Sequence, residues 1–268
     1  MIKSSISRHG PVEIFRSQRK FWLVDAVPVN CYLIDGLLID TSMRHARGEL
    51  EEFLLRRTLR QCVLTHHHED HSGNADYLQK RFGVPIFGAP MTKSILAEGV
   101  PVLPYQRLFF GKPEIAHLHK MEDMLSTDHY SFQMIPSPGH ARDHQCLYEP
   151  DEGWLFAGDI YLNDKIKVFK SLESVSQQIR TIKRLLTLDF DVLFCAHNPR
   201  LQNGKQHLAN KLAYLQDFEG QVQRSAKQGK SYRQIAKELN MREKWSFRLL
   251  SGGDVSLKNM IQSVLDEM

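Results

Sequence analysis

Thr65-His66-His67-His68-Glu69-Asp70-His71 is the stretch that decides the reading of this chain. As a pattern it is H-x-H-x-D-H, and it follows Cys62-Val63-Leu64, an apolar run that reads as a buried strand. Side chains alternate along extended backbone, so His66 and His68 project to one side while His67 points away. Imidazole nitrogens and carboxylates are donors for zinc, which takes nitrogen at about 2.0–2.1 Å and keeps an open position at catalytic sites. Three later words add donors of the same types: Pro138-Gly139-His140, Ala157-Gly158-Asp159 and Cys195-Ala196-His197. His140 offers a third nitrogen to join His66 and His68. Asp70 and His71 can serve a second ion together with His197, and Asp159 can give one oxygen to each.

Two ions roughly 3.5–4 Å apart lower the pKa of bound water to about 7 and polarise the bond under attack. The chemistry implied is hydrolysis at a carbonyl or phosphoryl centre by a bridging hydroxide. Asp70 can also orient that nucleophile. Tyr161, two residues past Asp159, and His144, four past His140, are the candidate proton donors to the leaving group. Two Zn2+ are the expected cofactors, with iron or manganese compatible with the same donors.

Outward from the histidine word, the first third of the chain alternates strands and helices. Phe21-Trp22-Leu23-Val24 and Asn30 to Ile34 are β-rich runs, and Asp35-Gly36 marks a hairpin into Leu37 to Asp40. Ala46, Leu50, Phe53 and Leu54 form one helical face. Ser72 is placed to cap a helix with the face Ala75, Leu78 and Phe82, which Gly83 ends. Val175, Ile179, Ile182, Leu185 and Leu186 mark another helix, and Asp191 to Cys195 a strand delivering His197. Beyond about Leu201 only helices are expected: one opening on the capping box Ser231-Tyr232-Arg233-Gln234, one from Trp245 to Leu250, and one through Met260, Ile261, Val264 and Leu265. The expected organisation is a catalytic domain over 1–210 and a helical domain over 211–268. Leu108-Phe109-Phe110 is expected to be exposed, as a lid or a homodimer contact.

The 268 residues are 42% hydrophobic, enough for a substantial core. Cys31, Cys62, Cys146 and Cys195 show no C-x-x-C spacing and read as reduced thiols. No run approaches the eighteen or so apolar residues of a membrane span, and Met1 to His9 lacks an apolar leader stretch, so a cytoplasmic protein without a membrane partner is expected. The net charge is +4, yet Gln221 to Arg248 carries eight Lys or Arg against Glu238 and Glu243, leaving about −2 elsewhere. Such a segment is either the solvated side of helices or a guide for nucleic-acid phosphates.

In these residues the chain resembles the metallo-β-lactamase superfamily of hydrolases, over about Asn30 to Arg200. The resemblance implies a four-layer αβ/βα sandwich with an α-helical C-terminal extension. It implies His66, His68 and His140 on one zinc, Asp70, His71 and His197 on the other, and Asp159 between them. His68 stands where the oxygen-reducing di-iron members have glutamate. Ala141-Arg142-Asp143-His144 stands where many thioesterase-like members have Thr-Pro-Gly-Ser. A small-molecule ester, thioester or lactone is the expected substrate. Single-stranded RNA is the alternative, with Arg224, Lys227, Lys230, Arg233 and Lys237 guiding phosphates. A nucleic-acid-binding regulator with a ligand-sensing metal site is a third reading.

Overall fold

The computed structural model describes residues 1–21, 25–242 and 245–268. Two sheets carry the architecture. The first has seven strands in sequential order: β1 (Ile2–His9), β2 (Val12–Arg19), β3 (Val29–Ile34), β4 (Leu37–Ile39), β5 (Gln61–Val63), β6 (Ile86–Gly88) and β7 (His119–Lys120). Pairing is antiparallel from β1 to β4 and parallel from β4 to β7. Parallel neighbours need crossovers, and the helices α1 (Arg47–Leu55), α2 (Ala75–Phe82), α3 (Pro90–Glu98) and α4 (Pro104–Phe109) lie in those connections.

The second sheet draws on β8 (Met124–Ser126), β9 (Ser131–Pro136), β10 (Gln145–Glu149), β11 (Trp154–Gly158) and, after the short β12 (Phe169–Lys170), β13 (Val192–Cys195), in the order β13-β11-β10-β9-β8. Helices α5 (Val175–Leu185), α6 (Gly204–Lys227), α7 (Tyr232–Glu238), α8 (Trp245–Leu250) and α9 (Leu257–Leu265) complete the chain, and β14 (Val255–Ser256) pairs with β12.

Successive strand residues face opposite sides, and this chain buries both. Tyr32 and Ile34 of β3 pack toward Phe132, Leu147, Phe156 and Phe194 of the second sheet. Cys31 and Leu33 pack the other way, onto Leu50, Phe53 and Leu78 of α1 and α2. The outer face of the second sheet, with Cys146 and Leu155, is covered by Ile179 and Ile182 of α5, Leu208 and Leu215 of α6, and Met260 and Ile261 of α9. The layers are therefore helix, sheet, sheet, helix.

The hairpin across Asp35-Gly36 forms as expected, with Leu33 opposite Leu38. Gly83 ends α2 in the left-handed conformation (φ 67°). Ser72 does not cap α2. The N-cap position is Asn74, and the Ser72 hydroxyl instead donates to the carbonyls of His67 and His68, at 2.7 and 3.0 Å. The expectation of helices alone beyond Leu201 is corrected by β14. Phe21 lies outside any strand, and the run Trp22-Leu23-Val24 lies outside the described residues. The 210/211 division falls inside α6, whose Leu208 and Leu215 share one core. No helix among the described residues is long and apolar enough to cross a membrane.

Candidate metal centre

Every residue of the candidate donor set follows a strand of the sandwich. β5 ends at Val63 and runs into the His66 to His71 loop, β11 ends at Gly158 before Asp159, β13 ends at Cys195 before His197, and His140 lies in the connection from β9 to β10. Rigid strands thus bring residues 131 positions apart to one edge.

Seven donors form two groups. His66, His68 and His140 make one, and Asp70, His71, Asp159 and His197 the other, each with its ligand atoms within 4.8 Å of one another. In the first, His68 Nδ1 lies 2.9 Å from His66 Nε2 and 3.0 Å from His140 Nε2. In the second, Asp159 Oδ1 lies 3.3 Å from both His71 Nε2 and His197 Nε2, and His197 Nε2 is 3.5 Å from Asp70 Oδ2. Asp159 joins the groups, because its Oδ2 is also 3.3 Å from His140 Nε2.

The outer nitrogens are held from behind. His71 Nδ1 is 2.7 Å from Asp40 Oδ2, and His197 Nδ1 is 2.6 Å from the Pro28 carbonyl. An imidazole that donates from one nitrogen presents a lone pair at the other. Asp40 also accepts from the Thr65 amide (2.8 Å) and hydroxyl (2.9 Å), tying the loop to the end of β4. His67 turns away as the alternation requires, its amide and Nδ1 both 2.9 Å from Asp143.

Burial and neighbouring imidazoles hold His66 well below the usual histidine range, so it is neutral and able to ligate. Burial opposes ionisation of Asp159, but His197, His71 and His140 outweigh it and keep the carboxyl well below the usual range. His71 Nε2 and Asp159 Oδ1 are buried with no hydrogen-bond partner. Orphaned polar atoms at this depth are costly, and a cation between them would satisfy both. The donor chemistry and these orphans fit divalent metal.

Two glycines make the approach possible. Gly139 has φ +134°, and a Cβ there would sit 2.7 Å from the Gln178 amide nitrogen, so α5 can pack directly on the Pro138-Gly139-His140 turn. Gly158 has φ +46°, and its missing Cβ leaves room for His144, whose Nε2 would be 2.5 Å away.

The two candidate proton donors do not reach the site. Tyr161 is fully buried, its hydroxyl donating to Asp164 (2.6 Å) and accepting from Arg200 Nε (3.0 Å). A turn at Asp159-Ile160, closed by the Ile160 amide on the Ala157 carbonyl, rotates it beneath the sheet edge. His144 is equally buried, and its Nε2 accepts from the Asp159 amide at 3.1 Å. Burial pushes it down to about 3, so it holds no proton to give at neutral pH. That bond ties it to the backbone of Asp159.

Sequence reasoning missed Asp40, Glu173 and Lys170. Glu173 Oε2 lies 3.3 Å from His140 Nδ1, and Lys170 Nζ lies 4.0 Å from Glu69 Oε1. Burial works against the charge on Lys170, but Glu69, Asp70, Glu173 and Asp159 outweigh it and hold the ammonium above its usual range. A buried polar residue ending an apolar strand was the available signal for Asp40. Glu173 and Lys170 carry none.

Asp70, His140, Asp159 and His197 open onto a cavity of about 310 Å³, walled also by Tyr105, Phe109, Phe110 and Lys170. The expectation that Leu108-Phe109-Phe110 is exposed is therefore corrected: Leu108 is 47% exposed, but Phe109 is buried and both phenylalanines face this cavity. Arg224, Lys227, Arg233 and Lys237 are exposed on α6 and α7, Lys230 pairs with Glu238, and none of the five lines the cavity.

A helix-sheet-sheet-helix sandwich with paired His and Asp groups at its strand ends defines an α/β protein built around a metal centre. The chain belongs to the metallo-beta-lactamase superfamily, whose family model matches residues 24–197. It is 32% identical over 151 residues to a hydroxyacylglutathione hydrolase of Legionella pneumophila (strain Lens), covering 55% of this chain and 52% of that one. It is 29% identical over 203 residues to hydroxyacylglutathione hydrolase GloC of Haemophilus influenzae, covering 70% and 93%. The chain thus spans about half the length of the Legionella relative. Among solved structures, a metallo-beta-lactamase from Pontibacter korlensis superposes with a TM-score of 0.65 at 21% identity, over 80% of this chain and all of that one. A metallo-beta-lactamase family protein from Thermus thermophilus gives 0.61 at 22%, over 80% and 82%. Both establish the fold.

Proposed function

We propose that this chain is a dinuclear zinc hydrolase of small acyl substrates, esters or thioesters, cleaved by water. The observation that carries this reading is Asp159, which touches both donor groups: its Oδ1 stands 3.3 Å from His71 and His197 Nε2, and its Oδ2 stands 3.3 Å from His140 and His197 Nε2. His66, His68 and His140 would hold one ion, Asp70, His71 and His197 the other, with Asp159 shared. Bound there, two divalent ions supply an acidified water and a polarised carbonyl.

The chain's own residues do the rest. Asp70, with Oδ2 3.5 Å from His197 Nε2 and Oδ1 3.9 Å from His71 Nε2, is placed to accept a hydrogen bond from the attacking water and orient it. Lys170 borders the cavity beside His140 and provides a fixed cation for the carboxylate formed. Phe109, Phe110 and Val168 keep bulk water from the reacting carbonyl. The relatives named hydroxyacylglutathione hydrolases favour a thioester over a phosphodiester, and Arg224, Lys227, Lys230, Arg233 and Lys237, the residues that would guide RNA phosphates, do not line the cavity.

The test is metal content and substrate class together. Zinc-loaded protein should hold two ions and cleave a p-nitrophenyl ester or an acyl thioester but not single-stranded RNA. Asp159→Ala should retain at most one ion and lose turnover. Full activity in that variant would overturn the shared role.

A further inference from the structure

The described lining of the cavity at the donors divides into polar and apolar side chains. Asp70, His140, Asp159 and His197, with Lys170 and Glu173, make the polar part. Among the described residues, the other charged side chains that line it, Asp25 and Lys167, are exposed, and Asp25 already pairs with Lys20. The apolar part of the wall is hydrocarbon, built from Phe109, Phe110, Leu162, Ile166, Val168 and Phe247. The Tyr105 hydroxyl is taken up by Asp254, at 2.5 Å, leaving its ring as further apolar wall.

Several of these side chains are not covered by the protein itself. Phe247 is 37% exposed and Val27, also in the wall, 45%. Leu162, Ile166 and Val168 are half-buried. Uncovered apolar surface in a concave site marks a place that a ligand fills. At roughly 30 Å³ per water-sized group, the 310 Å³ present has room for on the order of ten such groups.

We infer that the substrate carries a medium-length apolar acyl chain, seated between Phe110, Ile166, Val168 and Phe247 with its carbonyl at the donors. This rests on the acyl-hydrolase reading above and adds the class of acyl group. In the reaction, one O–H bond of water breaks and its oxygen joins the acyl carbon. The C–O or C–S bond breaks, and the water's proton ends on the departing oxygen or sulfur. The acid so formed releases its remaining O–H proton to solvent, and the alkanoate product is left with its carboxylate beside Lys170 and its chain along the apolar wall.

Straight-chain alkanoates, from acetate to decanoate, can be titrated into zinc-loaded protein by calorimetry, which needs no turnover. Burying a methylene contributes about 0.8 kcal/mol, so affinity should rise about fourfold per carbon until the cavity is full. Ile166→Trp, which fills the middle of the wall, should flatten the series for long chains, and Phe247→Ala should shallow it. Equal affinity of the wild-type protein for acetate and octanoate overturns the inference. The ratio of kcat/KM for p-nitrophenyl octanoate over p-nitrophenyl acetate should rise in parallel. A flat ratio with both esters cleaved overturns the acyl-chain assignment and leaves the hydrolase reading intact. Climbing alkanoate affinity with no ester or thioester cleaved would sink the hydrolase reading instead, while the cavity stands as an alkyl-chain site.

Discussion

Asp40 Oδ2 lies 2.7 Å from His71 Nδ1, and the aspartate reaches it from a left-handed backbone conformation (φ 61°) at the end of β4. Such a conformation is costly for a residue other than glycine, though aspartate tolerates it better than most. The contact fixes which nitrogen of His71 carries the proton and turns Nε2 toward Asp159. Asparagine tolerates the same backbone but can present an amide N–H where a carboxylate now accepts. Asp40→Asn should therefore weaken metal binding by about 10–100-fold with little loss of helix or sheet content. Competition against a chromophoric chelator measures this, and unchanged affinity would remove Asp40 from the account.

Gly158 shows how little space the centre allows. A methyl group there would meet His144 Nε2 at 2.5 Å and Thr65 Cβ at 3.1 Å, on a backbone with φ +46°. Gly158→Ala combines conformational strain with overpacking and should destabilise the fold by about 2–4 kcal/mol. Denaturant melts in the presence of chelator isolate this effect from any change in metal affinity. A loss below half a kilocalorie would mean that the loop shifts freely.

Lys211 is fully buried on α6, and its Nζ donates to the Ile160 carbonyl at 2.6 Å, directly after Asp159. Burial pulls its pKa from 10.5 down to about 8, against the opposing pull of Glu173 and Asp159. Between these values the unfolded chain binds a proton that the folded chain lacks, so stability should rise with pH from about 8 to 10.5. Below pH 8 both states are protonated and the full burial cost is present. The predicted gain across the window is about 3 kcal/mol. Urea melts from about pH 7 to about pH 10 should show this rise in the wild-type protein relative to Lys211→Met. Parallel curves for the two proteins would refute it.

The donors were readable because they depend on two short-range regularities. Alternation in an extended segment separates His66 and His68 from His67, and an apolar run ending at a donor places it at a strand end, as for His197. What lay out of reach depends on turns. The edge strand β1 shows solvent on nearly every residue, so Ile2 to His9 carries no apolar alternation to read. Ser72 looks like a cap by spacing, yet its hydroxyl is closer to the carbonyls of the preceding loop. Glu173 and Lys170 reach the centre through the β12–β14 pairing, a contact between segments 85 residues apart that no local pattern encodes.

Tyr161 tests the difference between proximity in sequence and position in space. Extended backbone would have put it on the same side as Asp159, two residues before it. The turn at Ile160 instead sends its hydroxyl to Asp164 and Arg200, a network that His207 and Asn210 of α6 extend by bonding Asp164 at about 3 Å. A proton donor to the leaving group contributes about 10²–10⁴-fold to the rate, whereas a buried hydroxyl bridging two side chains contributes about 1–2 kcal/mol to stability. Tyr161→Phe should therefore lower the unfolding free energy by that amount and leave kcat within a few-fold of wild type. Melting and steady-state kinetics on one preparation decide it. A hundredfold fall in kcat with unchanged stability would restore Tyr161 as the acid and require the turn at Ile160 to open during turnover.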